Sequence, residues 1–347
     1  MKFSFRDKLC RFGWVAVLAL GMTVVGFVPN FGLPVMAQEN DVQPRPPHVL
    51  PLADLRPKRD NIVMNKVRVL SRSTAAYQEE QQTSGNSYPG KENSGIVKSR
   101  TAEDLFWLHN DSGDEPKIYP IHANGEDYKI TRYAGDLGVT IAGAINVDWE
   151  DITVDDQGNV IVSDLGNNRN DRRDLVFYVI PEPAASAGRS TYIKRYFVRY
   201  PEQTAFPAPK DNFNFDCEGV FTINNTIHCF SKNRSNQYST LYRLDNPQND
   251  ELTTLTAFET IDVGGQVVGA DASQDGKRLV LITYKAIWLF ERTDLDSSFF
   301  NGSVYYAPYE ADQVEAVCFG DQETLKMIDE VTGTLFDVKI ADLTKLR

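Results

Sequence analysis

The sequence predicts an all-β chain, a five-bladed β-propeller closed by an N-terminal strand, with six blades as the alternative. Three observations carry that prediction. Short β-branched and aromatic runs are separated by turn signals such as Asp156-Gln157-Gly158-Asn159, Asn224-Asn225, Gln274-Asp275-Gly276 and Thr332-Gly333, and no sustained helical period intervenes. An ordered triplet of elements recurs five times. The fifth copy leaves little chain for an outer strand, whereas a spare β-like run at residues 62–70 can supply one.

Each triplet is led by a polar or acidic residue followed by a small and an apolar one: Ser94-Gly95-Ile96, Glu150-Asp151-Ile152, Glu218-Gly219-Val220, Asp271-Ala272-Ser273 and Glu315-Ala316-Val317, the fourth and fifth departing slightly and Asp151 not being small. A β run follows in each copy, at residues 106–109, 160–163, 227–230, 279–282 and 325–328. An apolar–aromatic–any–apolar quartet closes it, as in Ile118-Tyr119-Pro120-Ile121, Val176-Phe177-Tyr178-Val179 and Ile287-Trp288-Leu289-Phe290. Leader spacings of 56, 68, 53 and 44 residues suit one four-stranded blade plus loops. Outer strands are expected at residues 191–200 and 254–263, among others.

The segments before the repeat read differently. Lys2, Arg6, Lys8 and Arg11 precede an apolar run and a Val35-Met36-Ala37 cleavage site, so residues 1–37 are expected to be a signal peptide and the product secreted or periplasmic. Cleavage near Ala37 removes four basic residues and one acid, leaving 32 Lys+Arg against 47 Asp+Glu, a formal −15. Residues 38–60 read as a Pro-rich tether, 61–347 as one propeller domain, and 71–91 as a long loop within it. The acidic balance excludes a polybasic nucleic-acid binder, and no stable membrane insertion is expected after cleavage. Three remaining Cys in so long a chain exclude a disulfide scaffold; they read as small buried hydrophobes in a monomer.

Function is read from where the leaders point. If the first strand of each blade lines the channel, Ser94, Glu150, Glu218, Asp271 and Glu315 converge, with Glu92, Asp148, Asp216 and Gln313 in a second layer. Oxygen-only donors suit Ca²⁺ ahead of Mg²⁺. Loops between second and third strands then rim the mouth. Asn110, Asn168, Arg169, Lys232, Arg234 and Lys285 are candidate binders of a small anionic or carbohydrate ligand, and Asp111, Asp164 and His109 candidate catalytic groups.

The motifs WLHNDSGD (Trp107 to Asp114), INVDWEDITV (Ile145 to Val154), FDCEGVF (Phe215 to Phe221) and GADASQDGKRLVLITY (Gly269 to Tyr284) resemble a family of exported bacterial propeller proteins variously labelled phytase-like or esterase-like. More distantly, the layout is similar to calcium-activated nucleotidases, whose strand-leading Ser and acids would map onto Ser94, Glu150, Glu218 and Glu315. It is similar too to gluconolactonase and senescence-marker propellers, which hold a divalent ion among channel carboxylates. These resemblances imply a metal in the channel. Two functions follow as expectations: a calcium-dependent hydrolase of a phosphate ester or lactone, or a non-catalytic propeller with a structural calcium that binds a glycan, peptide or envelope component.

Overall fold

The computed structural model, which describes residues 48–70, 92–128, 138–190 and 192–347, arranges five sheets so that their inner strands pack side by side around one axis. Blade one comprises Asn93–Lys98, Phe106–Asn110, Lys117–Ile121 and Val139–Thr140. Blade two comprises Asp151–Val154, Asn159–Asp164, Val176–Pro181 and Lys194–Arg199. Blade three follows with Cys217–Ile223, Thr226–Ser231, Tyr238–Arg243 and Thr256–Asp262. Blade four has Val267–Ala272, Arg278–Thr283, Ala286–Glu291 and Ser303–Pro308. In blade five, Val314–Phe319, Thr324–Asp329 and Thr334–Lys339 are completed by Asn65–Val69, which runs antiparallel to the third strand. Five blades, not six, and closure by the N-terminal strand are thus what the repeat forms.

The apolar residues alternate along these strands and fill the gaps between blades. Five buried clusters result, one for each pair of neighbouring blades, including the pair of blades five and one that closes the ring. Trp107, Trp149 and Trp288 are fully buried within or beside them. Each such large apolar side chain contributes about 1.5–3 kcal/mol by leaving water. Turn chemistry agrees with the reading from sequence: Asn224 and Asn225 both take positive φ (49° and 61°) in the hairpin of blade three.

The tether boundary needs correction. Val49–Leu50 pairs in parallel with Thr260 and Ile261 on the outer edge of blade three, and Leu52 is buried among the aromatic residues between blades three and four. The apolar run Val49-Leu50-Pro51-Leu52 covers an edge that would otherwise expose backbone donors and acceptors, so residues 48–60 belong with the propeller. Leu252–Thr254 and Thr344–Lys345 cap the outer edges of blades two and four in the same manner. The expected signal peptide (residues 1–37), residues 38–47 of the expected tether and residues 71–91, expected to form a loop, lie outside the described residues. Cys217, Cys229 and Cys318 are buried and unbridged.

Candidate metal centre

Inner strands begin with a β-bulge, and the bulge is what aims the acids. In blade three Cys217 pairs with Ser231 and Gly219 with Phe230, which leaves Glu218 as the extra residue. The same two-against-one register makes Ser94, Val268 and Glu315 the extra residues of blades one, four and five. In blade two the Glu150 N–H donates to the Ser163 carbonyl at 3.0 Å while Asp151 pairs with the same Ser163. A bulge re-aims its side chain relative to a regular strand. Here it turns four of the five leaders toward the mouth of the channel.

The fourth leader is Val268, not Asp271. The true triplet of blade four is Val268-Gly269-Ala270, and Asp271 stands three residues further along, at the opposite end of the strand. Its Oδ2 accepts the Phe319 N–H at 2.8 Å, far down blade five. Asp271 is therefore not a ligand of the cluster that contains the other four.

Glu150 is the centre of that cluster. Carboxylate oxygens of Asp111, Asp148 and Glu150 lie within 4.8 Å of one another, as do those of Glu150, Asp216 and Glu218. Ser94 Oγ donates to the Glu150 carbonyl at 2.8 Å and reaches Glu150 Oε2 at 3.4 Å. Gly166 allows this packing: a Cβ there would come 2.1 Å from Glu150 Oε1 and 2.5 Å from Asp148 Cγ. Glu315 occupies the other half of the ring, where its Oε1 accepts from Tyr284 OH at 2.7 Å and from Gln313 Nε2 at 3.0 Å.

Two of the residues expected to bind an anion instead neutralise the acids. Lys232 is buried inside the ring, 2.9 Å from Glu218 Oε1 and 3.9 Å from Glu315 Oε1. Arg234 Nη2 is 2.6 Å from Asp216 Oδ2, and the same guanidinium binds Asn168 Oδ1. Arg169 extends into solvent with Asp171 at 3.4 Å, and Lys285 Nζ donates to the Ala311 carbonyl at 3.3 Å.

The proposed catalytic groups separate. Asp111 borders the ring. Asp164 does not face it: its carboxylate accepts the Asp148 and Val147 N–H groups at 3.0 and 3.3 Å and meets Arg172 Nη1 at 2.8 Å, which fixes the loop carrying Asp148. His109 is fully buried, edge-on to Trp149, with Nδ1 3.1 Å from the Asn110 carbonyl. A Cβ on Gly95 would strike its Nε2, so the ring is packing for the bulge glycine. Burial pushes its pKa down to about 4. Asn110 is buried behind the loop, donating to Asp114.

Crowding and burial dominate the electrostatics. Burial, then the Glu218 charge, raise Glu150 well above the ordinary carboxylate range. Burial lifts Glu218 to about 8 against the pull of Lys232. It likewise lifts Asp148 to about 6, Asp111 to about 7 and Glu330 to about 8, each helped by neighbouring acids. Burial works to depress Lys232, but Glu218 and the acids around it outweigh that and hold it charged. Acids in excess of Lys232, Arg234 and Arg172, with oxygen donors clustered on Glu150, fit a hard divalent cation.

Directly beneath, the channel closes. A Cβ on Gly269 would meet the Glu315 carbonyl at 2.8 Å, and one on Gly219 the Ala270 Cβ at 3.0 Å. Across this narrow layer Asp151 Oδ2 accepts the Val220 N–H at 2.7 Å, and its carboxylate also bonds the Ala270 N–H. One buried side chain thereby ties blade two to blades three and four.

The sequence places Gly166 and Tyr284 in loops at the mouth without assigning either a role, and gives no sign of Arg172. The glycine in Asp164-Leu165-Gly166 was the available signal; Tyr284 sits in a loop with nothing local to mark it.

No family model and no curated protein matches the chain, and neither comparison supports the expected likeness to the exported family. Among solved structures, hydrazine synthase of Kuenenia stuttgartiensis is similar at 8% identity over 73% of this chain and 72% of that one, with a TM-score of 0.39. A gluconolactonase of Xanthomonas campestris is similar at 13% identity over 73% and 72%, also with a TM-score of 0.39. Gluconolactonase-type proteins are thus among its structural neighbours.

Proposed function

We propose that this chain is an exported calcium-binding propeller that hydrolyses an uncharged cyclic ester, a lactone, at the mouth of its channel. The observation that supports this reading is the pair of overlapping carboxylate triads sharing Glu150. Up to five carboxylates and the Ser94 hydroxyl give the oxygen-rich, adaptable donor set that suits Ca²⁺ better than Mg²⁺. When bound there, the ion supplies Lewis-acid polarisation of a carbonyl and of water.

The charges at the site favour one of the two substrate classes. Lys232, Arg234 and Arg172 are committed to Glu218, Asp216 and Asp164, so little positive charge remains for a phosphate ester. A neutral lactone meets no such repulsion. Asp111, partly buried beside Asp148 and Glu150, is the group we assign to take a proton from water and return it to the leaving hydroxyl.

Lactones and phosphomonoesters, assayed with calcium and with chelator, test the reading. Lactone turnover that needs calcium, and a kcat reduced about a hundredfold in Asp111→Asn, are expected. Chelator-insensitive turnover or a preference for phosphomonoesters overturns it. Calcium-dependent melting without turnover of any ester would favour a structural ion, a role for which the internal Lys232–Glu218 pair is also suited.

A further inference from the structure

The inner strands of blades one, four and five end at Lys98, Ala272 and Phe319, on the side of the Asp151 layer away from the acid ring. With the turns that follow, they enclose a cavity of about 300 Å³ whose polar lining includes Lys98, Arg100, Asp271, Arg278 and Asp321.

Asp271 breaks the repeat. At the equivalent position the other inner strands carry Val97, Thr153, Phe221 and Cys318, none of them charged. A buried carboxylate at a place where the fold needs only an uncharged residue has to be held by partners, and the Phe319 N–H at 2.8 Å and the Ala272 N–H hold this one. Arg100 lines the same cavity. Its Nε is buried and has no acceptor among the described residues, and its charge acts on Asp271.

The other charges of the cavity are engaged. Arg278 donates to the Gln322 carbonyl and side chain, both at 2.7 Å, and Lys98 Nζ to the Gly320 carbonyl at 2.5 Å. Asp321 accepts the Glu323 and Thr324 N–H groups at 2.8 Å. Arg100, whose Nε lacks an acceptor, and Asp271, a fixed acceptor, thus share one lining.

We propose that this cavity is a second binding site, for a small carboxylic acid with a hydroxyl or amino group next to its carboxylate. The carboxylate docks on the Arg100 guanidinium, and the adjacent O–H or N–H donates to Asp271. A planar guanidinium matches a carboxylate in two parallel hydrogen bonds. Phosphate lacks the planar match to the guanidinium and brings a second charge beside Asp271, so it should bind less well.

Calorimetric titration of the full chain with lactate and with serine tests this, with acetate and inorganic phosphate as comparison arms. Lactate or serine is expected to bind more tightly than acetate and phosphate. Arg100→Gln should weaken that binding about tenfold or more, the usual weight of a charge-assisted hydrogen bond. Asp271→Asn should reduce it to the level of acetate. Calcium binding should be unchanged in both variants. Failure of both lactate and serine to bind the parent, phosphate binding as tightly as they do, or an unaltered Arg100→Gln would overturn the proposal.

Discussion

Lys232 Nζ lies 2.9 Å from Glu218 Oε1, with 7% and 3% of the two side chains exposed. An ammonium inside a ring of acids takes over part of the charge balance that a metal alone would otherwise carry. Removing it separates the two contributions. Lys232→Met leaves Glu218 buried with only the more distant Arg234, at 3.7 Å, as a cationic partner, a loss of up to about 3–5 kcal/mol when one member of such a pair is deleted. The Tm in chelator should therefore fall, and calcium should recover more of it than in the parent. Differential scanning calorimetry with and without calcium measures both; a variant that melts like the parent in chelator would show that the pair contributes nothing.

Stability without calcium should decrease as pH rises. The folded pKa values of Asp148, Asp111, Glu218 and Glu330, at about 6, 7, 8 and 8, lie above the ordinary carboxylate values they regain on unfolding. A carboxyl group whose pKa is raised by folding favours the folded state fully below its unfolded value, near pH 4, and loses that contribution as pH rises through its folded value. The Tm in chelator should fall from about pH 5 to pH 8.5, and calcium should flatten the slope because it stabilises the ionised acids. A chelator Tm that rises over this window would contradict the crowding of acids described above.

Gly166 offers a test of geometry rather than charge. A methyl group there would overlap Glu150 Oε1 at 2.1 Å and Asp148 Cγ at 2.5 Å, so Gly166→Ala must displace the carboxylates that define both triads. Because Gly166 lies in a loop at the mouth, outside the blade strands, the far-ultraviolet circular dichroism should be preserved while calcium affinity drops on the order of tenfold, the loss typical when a ligand's support is disturbed. Unchanged affinity would place the ion elsewhere.

Local pattern carried the fold because each blade is built from neighbours in sequence. The Asn224-Asn225 turn, the apolar quartets and even the borrowed outer strand, Asn65–Val69, are readable one segment at a time. The site was less legible for a specific reason: the bulge. A two-residue turn at Asn224-Asn225 carries regular pairing to Cys217 opposite residue 232, whereas the structure pairs Cys217 with Ser231 because Glu218 is extruded. In blade four the extruded residue is Val268, and the conspicuous acid three positions later drew the repeat out of register. The role of Lys232 was hidden for another reason, since nothing local distinguishes a lysine that enters a ring from one that rims it.

The corrected register makes the sharpest prediction. Glu150 belongs to both triads, while Asp271 bonds the Phe319 N–H at the other end of the inner strands. Glu150→Gln removes one negative charge from the middle of the donor set and keeps the shape, so calcium affinity should fall on the order of a hundredfold. Asp271→Asn keeps an oxygen for the Phe319 N–H and lies beyond the Asp151 layer, so its calcium affinity should match the parent. Calorimetric titration of calcium into the two variants decides the matter. Loss of affinity in Asp271→Asn with retention in Glu150→Gln would return the ion to the far end of the channel and dismantle the cluster around Glu150.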